Sequence, residues 1–306
     1  MRILNFGSLN IDYVYQVDKF VQPGETKACK QLIVNCGGKG LNQSIAAARA
    51  GSEVFHAGLI GRDGMQLVEK LTSNGVDVSL MENSDDLSGN AIIQVDETGQ
   101  NCILLFGGTN RQLTKALIDR VLDKFPAPGL VLLQNETNLV EYIITSAHQK
   151  GLSIALNAAP MDVQVNNYPL ELLDWLIINE VEGKQIAHCQ EEESILPILS
   201  NRYPNLSILL TLGKHGAKCR HQGKTTTISA YKVKAIDTTA AGDTFIGYFL
   251  YGVLNNFSIT ESLELATTAS AICVQHIGAS DSIPTRDEVE SIMSSGILGH
   301  LSLQVE

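Results

Sequence analysis

Residues 130–156 read LVLLQNETNLVEYIITSAHQKGLSIAL. The run at 130–133 is short, rich in leucine and valine and free of polar alternation, which suits a strand buried on both faces. Residues 139–149 form a longer helical stretch, and residues 153–156 are a second short apolar run. Strand, helix and strand in succession are the repeating unit of a parallel sheet. The alternation continues outward in both directions. Residues 3–6, 54–59, 175–178 and 207–211 read as further buried strands, and residues 41–50, 65–74, 114–122 and 260–276 as helices. The expected fold is therefore α/β, with a central, mainly parallel sheet flanked by helices on both faces. Such sheets take ligands beyond the carboxyl ends of their strands, so the loops that follow the strands are where chemistry should lie.

Three segments break the alternation. Residues 13–17, 28–34 and 91–105 look like antiparallel strands, with Asp96-Glu97-Thr98-Gly99 as a hairpin turn inside the last. They call for a second, smaller sheet, built from insertions at about residues 12–35 and 90–106 and not from a tandem domain. Residues 1–306 are thus expected to form a single domain carrying a β-sheet lid. The tail beyond residue 297 is weakly patterned and is expected to be loosely held.

Composition narrows the function. A length of 306 residues fits one large domain or two modest ones. The net charge of −11 argues against a nucleic-acid partner. It does not exclude an anionic small substrate, because local dipoles and metal ions override global charge. No apolar run approaches the ~20 residues needed to cross a bilayer, so no membrane partner is expected. The segment at residues 1–6 lacks the ordered charged, apolar and cleavage regions of a secretory signal. The six cysteines form no CxxC pair and read as reduced, mostly buried thiols, so a cytoplasmic location is expected.

The strongest local signal is Asp237-Thr238-Thr239-Ala240-Ala241-Gly242-Asp243-Thr244-Phe245. Small residues and a glycine lead into a helix, exposing free backbone N–H groups and the positive end of the dipole, an anion site suited to a phosphoryl group. Asp243, in the first turn, could take a proton from an attacking hydroxyl, an effect of roughly 10²–10⁴ in rate. It could equally be a helix-start residue favoured by the dipole. Gly37-Gly38-Lys39-Gly40, followed by Leu41-Asn42-Gln43, permits close backbone approach and offers Lys39 and Asn42 to a ligand. It lacks the GxxxxGK[ST] spacing of a Walker A loop, and a plain turn also explains it. Gly7-Ser8-Leu9-Asn10-Ile11-Asp12 follows the first strand; Asn10 and Asp12 would face one way along an extended chain and could hold sugar hydroxyls, or make Asx turns. Asn179 suits a helix cap, and Glu182 in the next turn either completes the cap or steers a metal-bound water. Thr211-Leu212-Gly213-Lys214-His215-Gly216 is a nucleotide loop or a tight turn. The seven histidines show no metal-ligand spacing, and no GxSxG elbow marks a hydrolase.

In this order the motifs resemble the ribokinase branch of the PfkB carbohydrate kinase family, over about residues 3–284. Residues 37–43 and 237–245 carry most of the resemblance. Residues 7–12, Pro23-Gly24-Glu25-Thr26, Asn157-Ala158-Ala159-Pro160 and residues 179–182 fall in the family's order. The resemblance implies a ribokinase-like sheet with a β-lid that often forms a homodimer contact. It implies that Asp243 deprotonates the sugar's 5-hydroxyl, and that the N–H groups of Ala241, Gly242 and Asp243 form an anion hole for the transferring phosphoryl group. Asn10, Asp12, Gly38, Lys39, Asn42 and Glu136 match sugar-binding positions. Asn179, Glu182, Thr211 and Gly213 match the nucleotide and Mg²⁺-water positions, with Gly216 closing the same loop. Thr267 stands where an adenine-flanking histidine or asparagine is common, a departure that bears on nucleotide preference. The family's monovalent-cation ligands, several of them backbone carbonyls, map to Asp237, Thr239, Cys273, His276, Gly278 and Ser282. Ile246 and Ala158 also depart from the family pattern, away from the phosphoryl chemistry.

The activity implied is transfer of the γ-phosphate of ATP, with Mg²⁺ and K⁺, to the 5-hydroxyl of ribose, giving ribose 5-phosphate. The Lys39 and Asn42 pattern favours ribose over fructose, ketodeoxygluconate or adenosine, and leaves deoxyribose and other pentoses open. An NAD-dependent oxidoreductase would need GxGxxG after the first strand, which Gly7 to Asp12 do not supply. A non-catalytic sugar-binding relative would be expected to lose the base or the anion hole, and the residues for both are present.

Overall fold

The computed structural model describes residues 1–299 and 301–305; of the expected single domain, positions 300 and 306 lie outside the described residues. In chain order the strands are β1 (Arg2–Phe6), β2 (Asn10–Gln16), β3 (Gln31–Gly37), β4 (Val54–Ile60), β5 (Asp77–Asn83), β6 (Gly89–Val95), β7 (Asn101–Phe106), β8 (Gly129–Gln134), β9 (Ser153–Asn157), β10 (Trp175–Asn179), β11 (Ser207–Thr211), β12 (Ala217–His221), β13 (Lys224–Ile228) and β14 (Leu303–Val305). The helices are α1 (Lys39–Ala50), α2 (Met65–Ser73), α3 (Lys115–Lys124), α4 (Val140–Gln149), α5 (Glu180–Ala187), α6 (Ile195–Arg202), α7 (Ala241–Leu254), α8 (Ile259–Cys273) and α9 (Arg286–Ser295).

The main sheet runs β5-β4-β1-β8-β9-β10-β11 with every neighbour parallel, and β12, β13 and β14 extend it antiparallel beyond β11. Alternate side chains feed two cores. Ile3, Leu130, Leu132, Ala155, Ile177 and Leu209 pack under α1, α7 and α8. Leu4, Val131, Leu133, Ile154, Leu156 and Ile178 pack under α3, α4 and α5. This is the α/β fold expected, and all six residues of β8 are buried because helices cover both faces. Its carboxyl edge gathers the loops after β1, β8, β9, β10 and β11.

The second sheet has the order β3-β2-β6-β7. It is not wholly antiparallel as expected: β2 pairs with β6 in parallel, from Asn10 opposite Gly89 to Gln16 opposite Val95. The two strands are joined by a long path through β3, α1, β4, α2 and β5, which leaves direction free, whereas the hairpin at residues 96–99 forces β6 and β7 to be antiparallel. The strand expected at residues 28–34 begins instead at Gln31, because β2 ends opposite it at Gln16. β7 is exposed along its whole length, and Leu32, Val34, Leu104 and Phe106 present apolar side chains to solvent.

Three other expectations need correcting. The tail is not uniformly loose: Leu303–Val305 pairs with β13, satisfying backbone groups of an otherwise open edge. The thiols are not mostly buried, since only Cys219 and Cys273 are, while Cys29 and Cys102 are exposed. Helix α8 stops at Cys273, three residues before the expected end, because Val274 turns to accept bonds from Ile236 N–H at 2.7 Å and Asp237 N–H at 3.2 Å. No helix among the described residues is long and apolar enough to cross a membrane.

Candidate active site

Helix α7 begins after Ala240, which adopts a left-handed backbone with φ of 61°, and no side chain caps it. Its first N–H groups have no intrahelical acceptor by geometry. Ala241 N–H makes a long turn bond of 3.3 Å to Thr238 O, which leaves those of Gly242 and Asp243 as the open pair. A Cβ on Gly242 would meet nothing within 4 Å, so the helix start faces free space. Asp243 is buried and its carboxylate is gripped from α1: Asn42 Nδ2 donates to Oδ2 at 3.0 Å, and Gln43 Nε2 donates to Oδ1 at 2.9 Å. Asn42 Oδ1 has no partner of its own.

Glycines bring α1 this close. A Cβ on Gly40 would overlap the backbone of Gly7 and Ser8, and one on Gly37 would overlap the Asp12 carboxylate. Asn10 and Asp12 lie two apart on β2 and share a face, as expected. Glu136, in the loop after β8, accepts the Lys39 N–H at 3.1 Å and the Ser8 hydroxyl. Burial, reinforced by Glu136, pushes the Asp12 carboxyl up to about 7. Burial works against the Lys39 ammonium, but Asp243, Glu136 and Glu182 outweigh it and hold the group above its ordinary value. The Lys39 ammonium thus feels the field of carboxylates from three separate segments of the chain. A cavity of about 170 Å³ lined by Ser8, Asn10, Asn110 and Glu136 lies under the small sheet.

A cavity of about 250 Å³ is lined by Asp243 itself with Lys39, Asn179, Glu182 and Gly242, and a second of about 390 Å³ by Thr211, Gly213, Gly216, Ala241 and Thr267. Both share Thr211, Thr238 and Gly242, so they form one trough ending at the carboxylate. A larger hollow of about 880 Å³, beside α8 and α9, takes in only His276 of the expected residues. Asn179 and Glu182 make a full capping box: Asn179 accepts the Val181 and Glu182 N–H groups, and Glu182 Oε2 accepts the Asn179 N–H at 2.8 Å. Capping therefore accounts for these contacts, but Glu182 also faces the trough. Burial lifts its carboxyl above the usual range against the pull of the Asn179 bonds. A single buried carboxylate beside a phosphate trough fits Mg²⁺, which keeps most of its waters. Thr267 is buried with its hydroxyl unpartnered, a polar atom left for a ligand. Gly216 has φ of 102° and stands where a Cβ would strike Ile228 O, so this turn requires glycine.

The six residues expected around a monovalent cation converge. Asp237 Oδ1 accepts the Thr239 N–H at 2.9 Å, and Oδ2 accepts the Gly278 N–H at 3.0 Å. Burial would raise Asp237, but these bonds prevail and lower it. Its carboxylate is thus occupied in joining the two loops. Cys273 Sγ lies 3.1 Å from Ser282 Oγ and 3.8 Å from Thr239 O. The exposed His276 ring bonds only back to Ile272 O, so any part it takes in ligation falls to its backbone. A donor set of neutral carbonyl and hydroxyl oxygens fits a potassium-sized ion. No cluster of three histidine, cysteine or carboxylate side chains suited to a metal occurs among the described residues.

Sequence reasoning assigned no role to the polar groups behind these residues, although Ser8, Gln43 and Asn157 lie inside the motifs it quoted. Asn110 clamps the loop after β1, accepting the Leu9 N–H and donating to Leu9 O, each at 3.0 Å, and to Asn10 Oδ1 at 2.9 Å. Ser8, Gln43, Gln134 and Asn157 are likewise buried and bonded. Asn110 lies in no motif and nothing in its spacing announces it; Gln134, at the end of an apolar strand, could have been singled out.

The pfkB family carbohydrate kinase pattern matches residues 2–286. The chain is 34% identical over 291 residues to a ribokinase of Haemophilus influenzae, covering 92% of this chain and 95% of that one. Its fold is similar to a ribokinase of Cryptococcus neoformans in complex with ADP, with a TM-score of 0.83 and 33% identity over 95% of this chain and 99% of that one. It is similar also to an Arabidopsis thaliana ribokinase complexed with ribose and ATP, with a TM-score of 0.86 and 26% identity over 95% and 98% of the two chains.

Proposed function

The chain belongs to the PfkB family of carbohydrate kinases, and from that premise we propose that this sugar kinase is an ATP-dependent ribokinase forming ribose 5-phosphate. The observation that carries this reading is Asp243, set at the uncapped start of α7, gripped by Asn42 and Gln43 of α1 and lining the trough along α7 and α8. The sugar binds between the small sheet and the start of α1, with Asn10, Asp12, Gly38, Lys39, Asn42 and Glu136 around its hydroxyls. ATP occupies the trough, its base near Thr211, Gly213, Gly216 and Thr267 and its phosphates toward Gly242. Asp243 accepts the proton of the 5-hydroxyl as that oxygen attacks the γ-phosphorus. The N–H groups of Gly242 and Asp243, with Ala241 once its long turn bond yields, hold the charge that builds on the equatorial oxygens. One such preorganised donor is worth ~3–4 kcal/mol.

Glu182 and Asn179 would orient waters of a Mg²⁺ ion, which supplies charge neutralisation on the phosphates when bound. The loop of Asp237, Thr239, Cys273, His276, Gly278 and Ser282 would hold K⁺, which supplies a fixed positive charge beside the helix start. A homodimer formed through the exposed apolar side chains of the small sheet, and a cytoplasmic location, belong to the same reading.

The test is ADP release over a panel of pentoses, hexoses and nucleosides with Mg-ATP, in potassium or sodium. Ribose should dominate and potassium should stimulate. Asp243→Asn should lower kcat by roughly 10²–10⁴ while ATP still binds. A variant that turns over normally would remove Asp243 from the mechanism, and a preference for deoxyribose or another sugar would change the substrate and keep the chemistry.

A further inference from the structure

Behind Asp243 lies a chain of buried side-chain amides that the reaction scheme does not use. Gln43 Nε2 donates to Asp243 Oδ1 at 2.9 Å and to Asn157 Oδ1 at 3.0 Å. Gln43 Oε1 accepts from Gln134 Nε2 at 2.7 Å, and Gln134 Nε2 also donates to Asn5 Oδ1 at 3.2 Å. Asn5 Nδ2 donates to Gly40 O at 2.9 Å and to Ser44 Oγ at 2.8 Å, and Asn157 Nδ2 donates to Ile177 O at 3.2 Å. Asn5, Gln43 and Gln134 are wholly buried.

An amide can turn end for end, but these cannot. A backbone carbonyl only accepts, so Gly40 O fixes the NH₂ end of Asn5 and Ile177 O fixes that of Asn157. Both then point oxygens inward. Gln134 must answer Asn5 with its NH₂, and does so although this leaves its own Oε1 without a partner. Gln43 is then constrained from two directions, by an incoming donor from Gln134 and by the oxygen of Asn157. Its NH₂ has one orientation, toward Asp243.

Resting on the kinase reading above, we propose that Gln43 is a positioning residue whose locked amide occupies Asp243 Oδ1 and leaves Oδ2 as the oxygen that receives the substrate's proton. The other grip on the carboxylate is of a different kind. Asn42, which donates to Oδ2, keeps its Oδ1 unpartnered and is not tied into the chain, so it is free to turn to a bound sugar. In the step itself the hydroxyl proton passes to Oδ2, the sugar oxygen bonds to the γ-phosphorus, and the bond to the leaving ADP oxygen breaks. Gln43 keeps both its hydrogens throughout.

Gln43→Met removes the donor, and Gln134→Met removes the bond into Gln43 Oε1, leaving the amide held by Asn157 and Asp243 alone, without touching Asp243, sugar or nucleotide. Gln43→Met should lower kcat about tenfold or more and Gln134→Met by a smaller factor, about threefold, each with the sugar KM held within about threefold. Wild-type kcat in both variants, measured where both are folded, would overturn the proposal even if their Tm values fall, since that is the signature of packing alone. A second readout needs no turnover. In nitrogen-labelled protein the Gln43 side-chain NH₂, assigned by its absence in Gln43→Met, should exchange slowly with solvent and measurably faster in Gln134→Met. Fast exchange in the wild type overturns the lock. A wild type inert on every sugar would instead sink the kinase reading and leave the exchange result to decide the lock.

Discussion

Single residues at this site carry opposed demands. In the proposed reading Asp12 accepts sugar hydroxyls as a carboxylate, yet burial and Glu136 push it up to about 7. Its ionised fraction therefore falls as pH drops through 7. The sugar KM should rise about tenfold per pH unit below roughly pH 6, with kcat at saturation little changed. Asp12→Asn should flatten that dependence, and a flat wild-type KM between pH 5 and 8 would show that the neutral acid binds equally well. Gly242 is a second case. With open space at its Cα, Gly242→Ala should fold normally and gain up to ~1 kcal/mol of stability, while the methyl intrudes where a phosphoryl group must sit. Thermal melting and kcat should therefore move in opposite directions; a variant with full activity would place the phosphates elsewhere. These two residues were legible in the sequence because their motifs have fixed spacing. The roles of Ser8, Gln43 and Asn157 were not, although each falls inside a quoted motif, and Asn110 falls in none; a buried polar side chain is understood only by what surrounds it.

Among the elements, the parallel core was readable at once: β8, α4 and β9 follow the apolar pattern nearly residue for residue, because a strand covered on both faces has no polar positions. The small sheet was legible in composition but not in direction, since the parallel pairing of β2 with β6 is decided by residues far apart in the chain. The short antiparallel strands β12, β13 and β14 are mostly polar and half-exposed, and their pairing is a property of the edge they complete. The exposed face of the small sheet makes its own prediction. Leu104→Asp should convert a dimer into a monomer by sedimentation without loss of fold, whereas a wild type already monomeric at micromolar concentration would remove the dimer from the reading.

The molecule as a whole should show two opposing proton linkages. Burial pushes the His56 imidazole down to about 4, with Nε2 3.2 Å from Gly7 O and Nδ1 2.9 Å from Ser44 Oγ. A lowered base means the unfolded chain binds the extra proton, so stability is full above about pH 6.5 and is lost as pH falls toward 4. Asp12 has the reverse sign: its raised carboxyl lowers stability as pH rises from about 4 to 7. The two slopes should nearly cancel between pH 4 and 6.5. His56→Phe removes one of them, and the stability difference from wild type should shift by about 3 kcal/mol across that window. Denaturant melts at several pH values would show it, and a constant difference would mean His56 stays neutral in both states. Larger still is a mechanical consequence of how β3 meets α1. Strand β3 ends at Gly37 and α1 begins at Lys39, so Gly38 alone separates the outer sheet from the helix whose first turns grip Asp243. The pair is a lever with a one-residue fulcrum: any torque on the small sheet, from a neighbouring subunit or from a ligand beneath it, reaches the carboxylate with no slack between.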